Sequence, residues 1–154
     1  IGSHQRIAVW ATKLTLEEKK FAQLMSRYKE DHDIRKIPCM KLVALVENDQ
    51  LDQQAIVDEV LQEYLEQSDW QNLDSIVLGC THFVFFKKRL QELTEGKIQI
   101  IDGNEGTARH VKELLEEKSL LNSEGGDIVI SNSRKDKIDL SKKLLDVLED
   151  LDEI

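Results

Sequence analysis

The strongest constraint on this sequence is an alternation of short β-rich runs with longer stretches of helical periodicity. Four runs stand out, Arg6 to Ala11 (RIAVWA), Ser75 to Gly79 (SIVLG), Ile98 to Ile101 (IQII) and Asp127 to Ser131 (DIVIS), and each precedes a helical pattern. Phe21, Leu24, Met25 and Tyr28 fall at i, i+3, i+4 and i+7, one buried stripe, which predicts a helix from about Leu16 to Lys29. Thr15 is its expected N-cap, with Glu18 at the capping-box position. A longer helix is predicted from Gln53 to Gln67, capped by Asp52, with Ile56, Val57, Val60, Leu61, Tyr64 and Leu65 on one face. Others span Phe83 to Leu93, Glu105 to Lys118 and Asp139 to Asp150. The stretch DIRKIPCMKLVALVEN predicts a strand over Ile34 to Ile37 and a short helix over Lys41 to Val46. Pro38 and the Gly125-Gly126 pair are the main breakers, so NSEGGD is a turn before the last strand, and LEDLDEI is the frayed end of a helix. Such alternation predicts an α/β fold, a mainly parallel sheet flanked by helices.

A chain of 154 residues, 40% of them hydrophobic, can build one ordinary core without staples. Cys39 and Cys80 lie far apart in apolar contexts, which gives no support to a disulfide framework or a metal site and fits a reducing cytoplasm. The formal net charge is -9 and the acidic residues are spread along the helices. That distribution argues against nucleic acid or an anionic membrane and favours a small-molecule or protein partner. No run approaches the ~20 apolar residues of a membrane span, and no signal-peptide pattern opens the sequence. Residues 1–4 read as an expression-vector remnant.

In a parallel α/β sheet, ligands bind outside the carboxyl ends of the strands. The run SIVLGCTHFVFFKKRL puts Gly79-Cys80-Thr81-His82 there. Cys80 would sit against the N–H groups of a helix beginning near Phe83, a place where a thiol titrates below its free value of roughly 8.5. His82 would add acid-base help or orient a carboxylate. The structural alternative makes Cys80 a small hydrophobe at a strand end and His82 a surface cap. Thr12 and Thr15 close the first strand and open the first helix, where they hold a carboxylate or simply cap. Glu47 ends LVALVE, either assisting a neighbouring acid or base or as a solvated helix end. Asp102-Gly103-Asn104-Glu105-Gly106 lacks the glycine spacing of a phosphate loop and reads as a strand-to-helix turn. Cys39 reads as core.

Together these segments resemble the C-terminal part of bacterial glutamate racemases. LGCTHFVFFK looks like the family's LGCTHYPLLK signature, CMKLVALVE its CPKLVPLVE, IAVWATKLT its GVxATxxT segment, and IIDGNEGTARHV its IIDSGxxTAxxV. The resemblance covers about Arg6 to Leu115. It implies one lobe of a two-lobed racemase fold plus elements of the other. It also implies cofactor-independent interconversion of L- and D-glutamate for peptidoglycan synthesis, without metal and with a homo-oligomer possible. Carried over by matching residue, Cys80 acts on one face of the substrate α-carbon, His82 assists and Glu47 supports proton transfer. Thr12, Thr15 and Thr81 bind substrate. Phe83 replaces a tyrosine, Met40, Ala44 and Val84 replace prolines, and Phe21 replaces a tyrosine of the first helix, which marks a divergent member. Aspartate or another amino acid, or a non-catalytic module on the same fold, are the alternatives.

The family's Asp-Ser-Gly loop and the Cys-Asn-Thr loop with its second catalytic cysteine do not occur in this sequence. The resemblance therefore implies a fragment, inactive alone, in which residues 5–103 form the Cys80 lobe and residues 104–154 return to the missing one.

Overall fold

Parallel strands cannot be joined by hairpins, so each pairing requires a crossover of a dozen or more residues, and the helical stretches supply it. The computed structural model describes residues 4–152, and side chains through residue 148. The chain divides into two units, one ending at Gly103 and one beginning at Asn104. In the first, β1 (Arg6–Ala11), β2 (Asp33–Pro38), β3 (Ser75–Leu78) and β4 (Gln99–Asp102) form one sheet in the order β2-β1-β3-β4. Every pairing is parallel, with Ala11 opposite Pro38, Trp10 opposite Leu78 and Leu78 opposite Asp102.

Helices α1 (Lys13–Glu17) and α2 (Lys19–Ser26) connect β1 to β2, and α3 (Met40–Glu47) and α4 (Gln54–Ser68) connect β2 to β3. A 3-10 turn, Thr81–Phe86, runs into α5 (Lys87–Leu93) before β4. A central parallel strand is covered on both faces, so it is apolar throughout rather than alternating. Thus Ala8, Val9, Trp10 and Ala11 of β1 are all buried, among Leu42, Leu61, Ile76, Phe83, Phe86 and Leu90. Trp10 donates its indole N–H to Ser68 Oγ at 2.8 Å, and Ser68 donates to the Tyr64 carbonyl at 2.6 Å, so the polar atoms at the centre of the core are paired.

The α/β class, the parallel sheet and most elements follow the sequence pattern, but several expectations are corrected. The first helix is two. Glu18 is extended (φ -67, ψ 138) between α1 and α2, and neither helix buries a residue that would hold the two in line. The stripe expected to be buried is not, since Leu24 and Tyr28 are exposed and Tyr28 lies beyond the end of α2. Its N-cap is Thr12 rather than Thr15: Thr12 Oγ1 accepts from the Thr15 backbone N–H at 3.2 Å. For α4 the cap position is Gln53, one residue after Asp52, with no side-chain cap bond. The helix expected from Phe83 begins as the 3-10 turn, and its α-helical part starts only at Lys87.

The second unit contains α6 (Asn104–Glu117), a 3-10 turn at Lys135–Lys137, and α7 (Ile138–Asp152). The run at 127–131 is not a strand. Ile128 and Val129 are exposed, and among the described residues of this unit there is no strand for it to pair with. The turn before it does form, with the Glu124 N–H donating to Asn122 Oδ1 at 3.0 Å. Residues 1–3 of the opening and 153–154 of the acidic end lie outside the described residues.

Candidate active site

The strand order fixes where a site can form. From β1 the chain moves to β2 on one side, and it returns to β3 on the other, so the crossovers diverge at the carboxyl ends of β1 and β3. Such a switch point leaves a crevice open between adjacent strands. Thr12 directly follows β1, and Gly79 and Cys80 directly follow β3.

Gly79 brings these two strand ends together. Its N–H donates to the Trp10 carbonyl at 2.7 Å. A Cβ at this position would lie 3.2 Å from Ala11 Cβ and 3.3 Å from Trp10 O, so only glycine fits without displacement. Beyond it, Phe83 and Phe86 are buried at i and i+3 spacing and pin the 3-10 turn to the core. Cys80, partly exposed, is the cap residue of that turn, and His82 is carried back over it. Because α5 starts seven positions after Cys80, the group within reach of the thiol is an imidazole rather than an α-helix N-terminus.

Cys80 Sγ lies 3.8 Å from His82 Nδ1, and His82 Nε2 lies 2.9 Å from Glu47 Oε1. Residues from two segments singled out separately in the sequence therefore form one chain: thiol, imidazole, carboxylate. Glu47 is the last residue of α3, whose buried face of Leu42, Leu45 and Val46 sets its end beside the turn. A carboxylate only accepts, so His82 Nε2 carries the proton of that bond, and in the neutral ring Nδ1 faces Cys80 as an acceptor. Thr12 and Thr15 form a second pair, with hydroxyl oxygens 2.9 Å apart at the end of β1. Thr81, exposed, begins the turn after Cys80.

The two cysteines have different environments. Cys39 is fully buried, and its thiol donates to the Ile37 carbonyl at 3.4 Å. Burial, and secondarily the nearby Cys80, pushes the Cys39 thiol far above its ordinary value and leaves it unreactive. Asp102, the last residue of β4, is only 12% exposed and accepts from Lys87 Nζ at 2.7 Å. Lys87 ends the LGCTHFVFFK segment in the sequence, but only the fold brings it to the end of β4. Among the described residues no group of three or more His, Cys, Asp or Glu is placed to hold a metal ion, and no helix is long and apolar enough to cross a membrane.

No protein-family profile matches the chain. Curated relatives do. It is 46% identical over 134 residues to the glutamate racemase of Bifidobacterium animalis subsp. lactis, covering 86% of this chain and 52% of that protein. It is 43% identical over 150 residues to the glutamate racemase of Clostridium botulinum, covering 92% of this chain and 56% of that protein. Among solved structures, glutamate racemase from Thermus thermophilus, in complex with β-chloro-D-alanine, superposes with a TM-score of 0.65 at 24% identity. That match covers 93% of this chain and 53% of the other. The enzyme from Francisella tularensis, in complex with D-glutamate, gives 0.64 at 24% identity over 77% of this chain and 44% of its own. The structural matches share the fold, and the curated ones are homologues over most of this chain. The chain spans about half the length of the curated relatives it matches.

Proposed function

We propose that this chain is the Cys80-bearing part of a glutamate racemase, and that the whole protein interconverts L- and D-glutamate without a cofactor. The observation that carries the reading is the Cys80–His82–Glu47 chain at the switch point, in a sequence 46% identical to a glutamate racemase over 134 residues.

The α-hydrogen of an amino acid is very weakly acidic, so its removal needs a strong, desolvated base and stabilisation of the carbanion. His82 Nδ1, unprotonated because Glu47 holds the proton on Nε2, takes the Cys80 proton and leaves a thiolate. Glu47 stabilises the resulting imidazolium. The thiolate then removes the α-proton from one face of the substrate: the C–H bond breaks, an S–H bond forms and the electron pair stays on carbon. Inversion requires a proton from the opposite face, which a second thiol outside this chain supplies. In the reverse direction Cys80 returns its proton to the carbanion. Thr12, Thr15 and Thr81 hold the carboxylate and ammonium groups that orient the α-carbon.

In this reading residues 5–103 form the Cys80 lobe, and residues 104–154 return to the lobe that supplies the second thiol. A cytoplasmic enzyme providing D-glutamate for peptidoglycan follows, with glutamate as the small-molecule partner, and homo-oligomers are compatible with it. The test is α-proton exchange of glutamate in deuterated water by the full-length protein. Exchange in both enantiomers, falling about 10²–10⁴-fold in Cys80→Ser, is the expected result, and exchange unaffected by that substitution would sink the assignment. A panel of amino acids separates glutamate from aspartate specificity. Tight calorimetric binding of glutamate without any exchange would favour a non-catalytic module.

A further inference from the structure

Cys80, Thr81 and His82 all lie on the short connection between Leu78 and Lys87, and the geometry of any proton transfer depends on how firmly that connection is held. Its upstream end is fixed by β3 itself and by the Gly79 bond to Trp10. Its middle is fixed by burial of Phe83 and Phe86. Its downstream end is Lys87, the first residue of α5, whose ammonium reaches Asp102 Oδ2 at 2.7 Å. Asp102 closes β4 directly opposite Leu78, the residue at which the connection began. The ion pair therefore ties the far end of the Cys80 turn back to the strand register from which the turn departs. Asp102 is 12% exposed and Lys87 37% exposed, so the pair is shielded from solvent and salt more than an ordinary surface bridge.

We infer that Lys87, through Asp102, is a positioning residue for the Cys80–Thr81–His82 turn: it closes the loop that fixes where the thiol and imidazole stand relative to Thr12 and Thr15. The inference rests on the racemase reading for its catalytic consequence, but its structural content concerns the thiol alone.

The experiment uses the full-length protein and the variants Lys87→Met, Lys87→Arg and Asp102→Asn, with two readouts. The first is the rate of Cys80 alkylation by iodoacetamide across pH, followed on the Cys80 peptide by mass spectrometry. The second is steady-state glutamate racemisation. For Lys87→Met the alkylation profile shifts along the pH axis, and kcat falls about tenfold to a hundredfold with a much smaller change in KM, because misplaced reacting groups cost rate more than binding. Lys87→Arg restores both. Should Lys87→Met fail to accumulate folded, Asp102→Asn, which keeps an acceptor for the ammonium, shifts the same two quantities less far. An alkylation profile and kcat unchanged in a folded Lys87→Met protein overturn the inference, as does equal loss in Lys87→Met and Lys87→Arg. A wild-type protein without racemisation, whose Cys80 alkylation still responds to Lys87→Met, would overturn the functional reading and leave the positioning role standing.

Discussion

His82 and Glu47 are 35 positions apart in sequence, yet His82 Nε2 lies 2.9 Å from Glu47 Oε1. The contact exists because the buried face of α3 is packed so that its last residue meets the 3-10 turn after β3. It selects the imidazole tautomer that turns an acceptor towards Cys80. Glu47→Gln offers the ring an amide in place of a carboxylate and withdraws the charge that stabilises the imidazolium. Exchange of the glutamate α-proton by the full-length protein is expected to slow by about tenfold to a hundredfold, within the range of positioned acid-base assistance. KM should change little, since Glu47 approaches the reaction only through His82. Steady-state kinetics in both directions check this, and a rate equal to the wild type would remove Glu47 from the mechanism.

Gly79→Ala tests the close approach of the β1 and β3 ends. The new methyl group would meet Ala11 Cβ at 3.2 Å and a backbone carbonyl oxygen at 3.3 Å. The strands must separate slightly, with an expected loss of about 1–3 kcal/mol from overpacking. Because Thr12 and Cys80 sit directly beyond these ends, activity should fall further than stability alone explains. Urea denaturation alongside kinetics separates the two effects.

Ser68→Ala removes the acceptor for the Trp10 indole N–H in a fully buried setting. A buried donor without a partner costs about 1–3 kcal/mol, so the unfolding midpoint should move by that equivalent. Ser68→Thr, which keeps the hydroxyl, should recover part of it unless the extra methyl group clashes. Chemical denaturation of the three proteins measures the difference.

Asp58 receives a two-pronged contact from Arg89, with both nitrogen-to-oxygen distances 2.7 Å. The guanidinium holds the Asp58 carboxyl below its ordinary value. A group whose folded value is depressed contributes stability above the ordinary carboxylate range and loses it as the pH falls through the depressed value. Asp58→Asn should therefore be less stable than wild type at pH 7, and the two melting temperatures should converge as the pH drops below about 4. A constant gap across that interval would contradict the assignment.

Much of this fold is legible in the sequence for a physical reason. A central parallel strand must be apolar on both faces, so RIAVWA predicts Arg6 to Ala11, the observed span of β1. Helix starts are less legible, because Thr12 and Thr15 are both good caps by type. Where β1 ends decides between them, and that is set by pairing with β2 and β3. The 3-10 turn was hidden for a different reason: over six residues, Phe83 and Phe86 fit a repeat of three as well as one of 3.6. At 127–131 β-propensity described the run correctly but not its surroundings, since a strand also needs a neighbour. In the site, Cys80 was visible as a thiol after a strand. The link from His82 to Glu47, and the Lys87–Asp102 pair, depend on helix packing that no local pattern encodes.

Trp10 joins two parts of the molecule that are otherwise described separately. Its indole is buried and bonded to Ser68 in the centre of the core, while its own carbonyl receives the Gly79 N–H immediately before Cys80. The protein thereby carries a built-in optical gauge of its own crevice. The Trp10 emission belongs at the short-wavelength end characteristic of a dry indole, and any loosening between β1 and β3 that lets water reach the ring will move it to the red. Trp70, the other tryptophan of the sequence, is only partly buried, so a Trp70→Phe background isolates the Trp10 signal and lets opening of the crevice be followed without a label and without waiting for turnover.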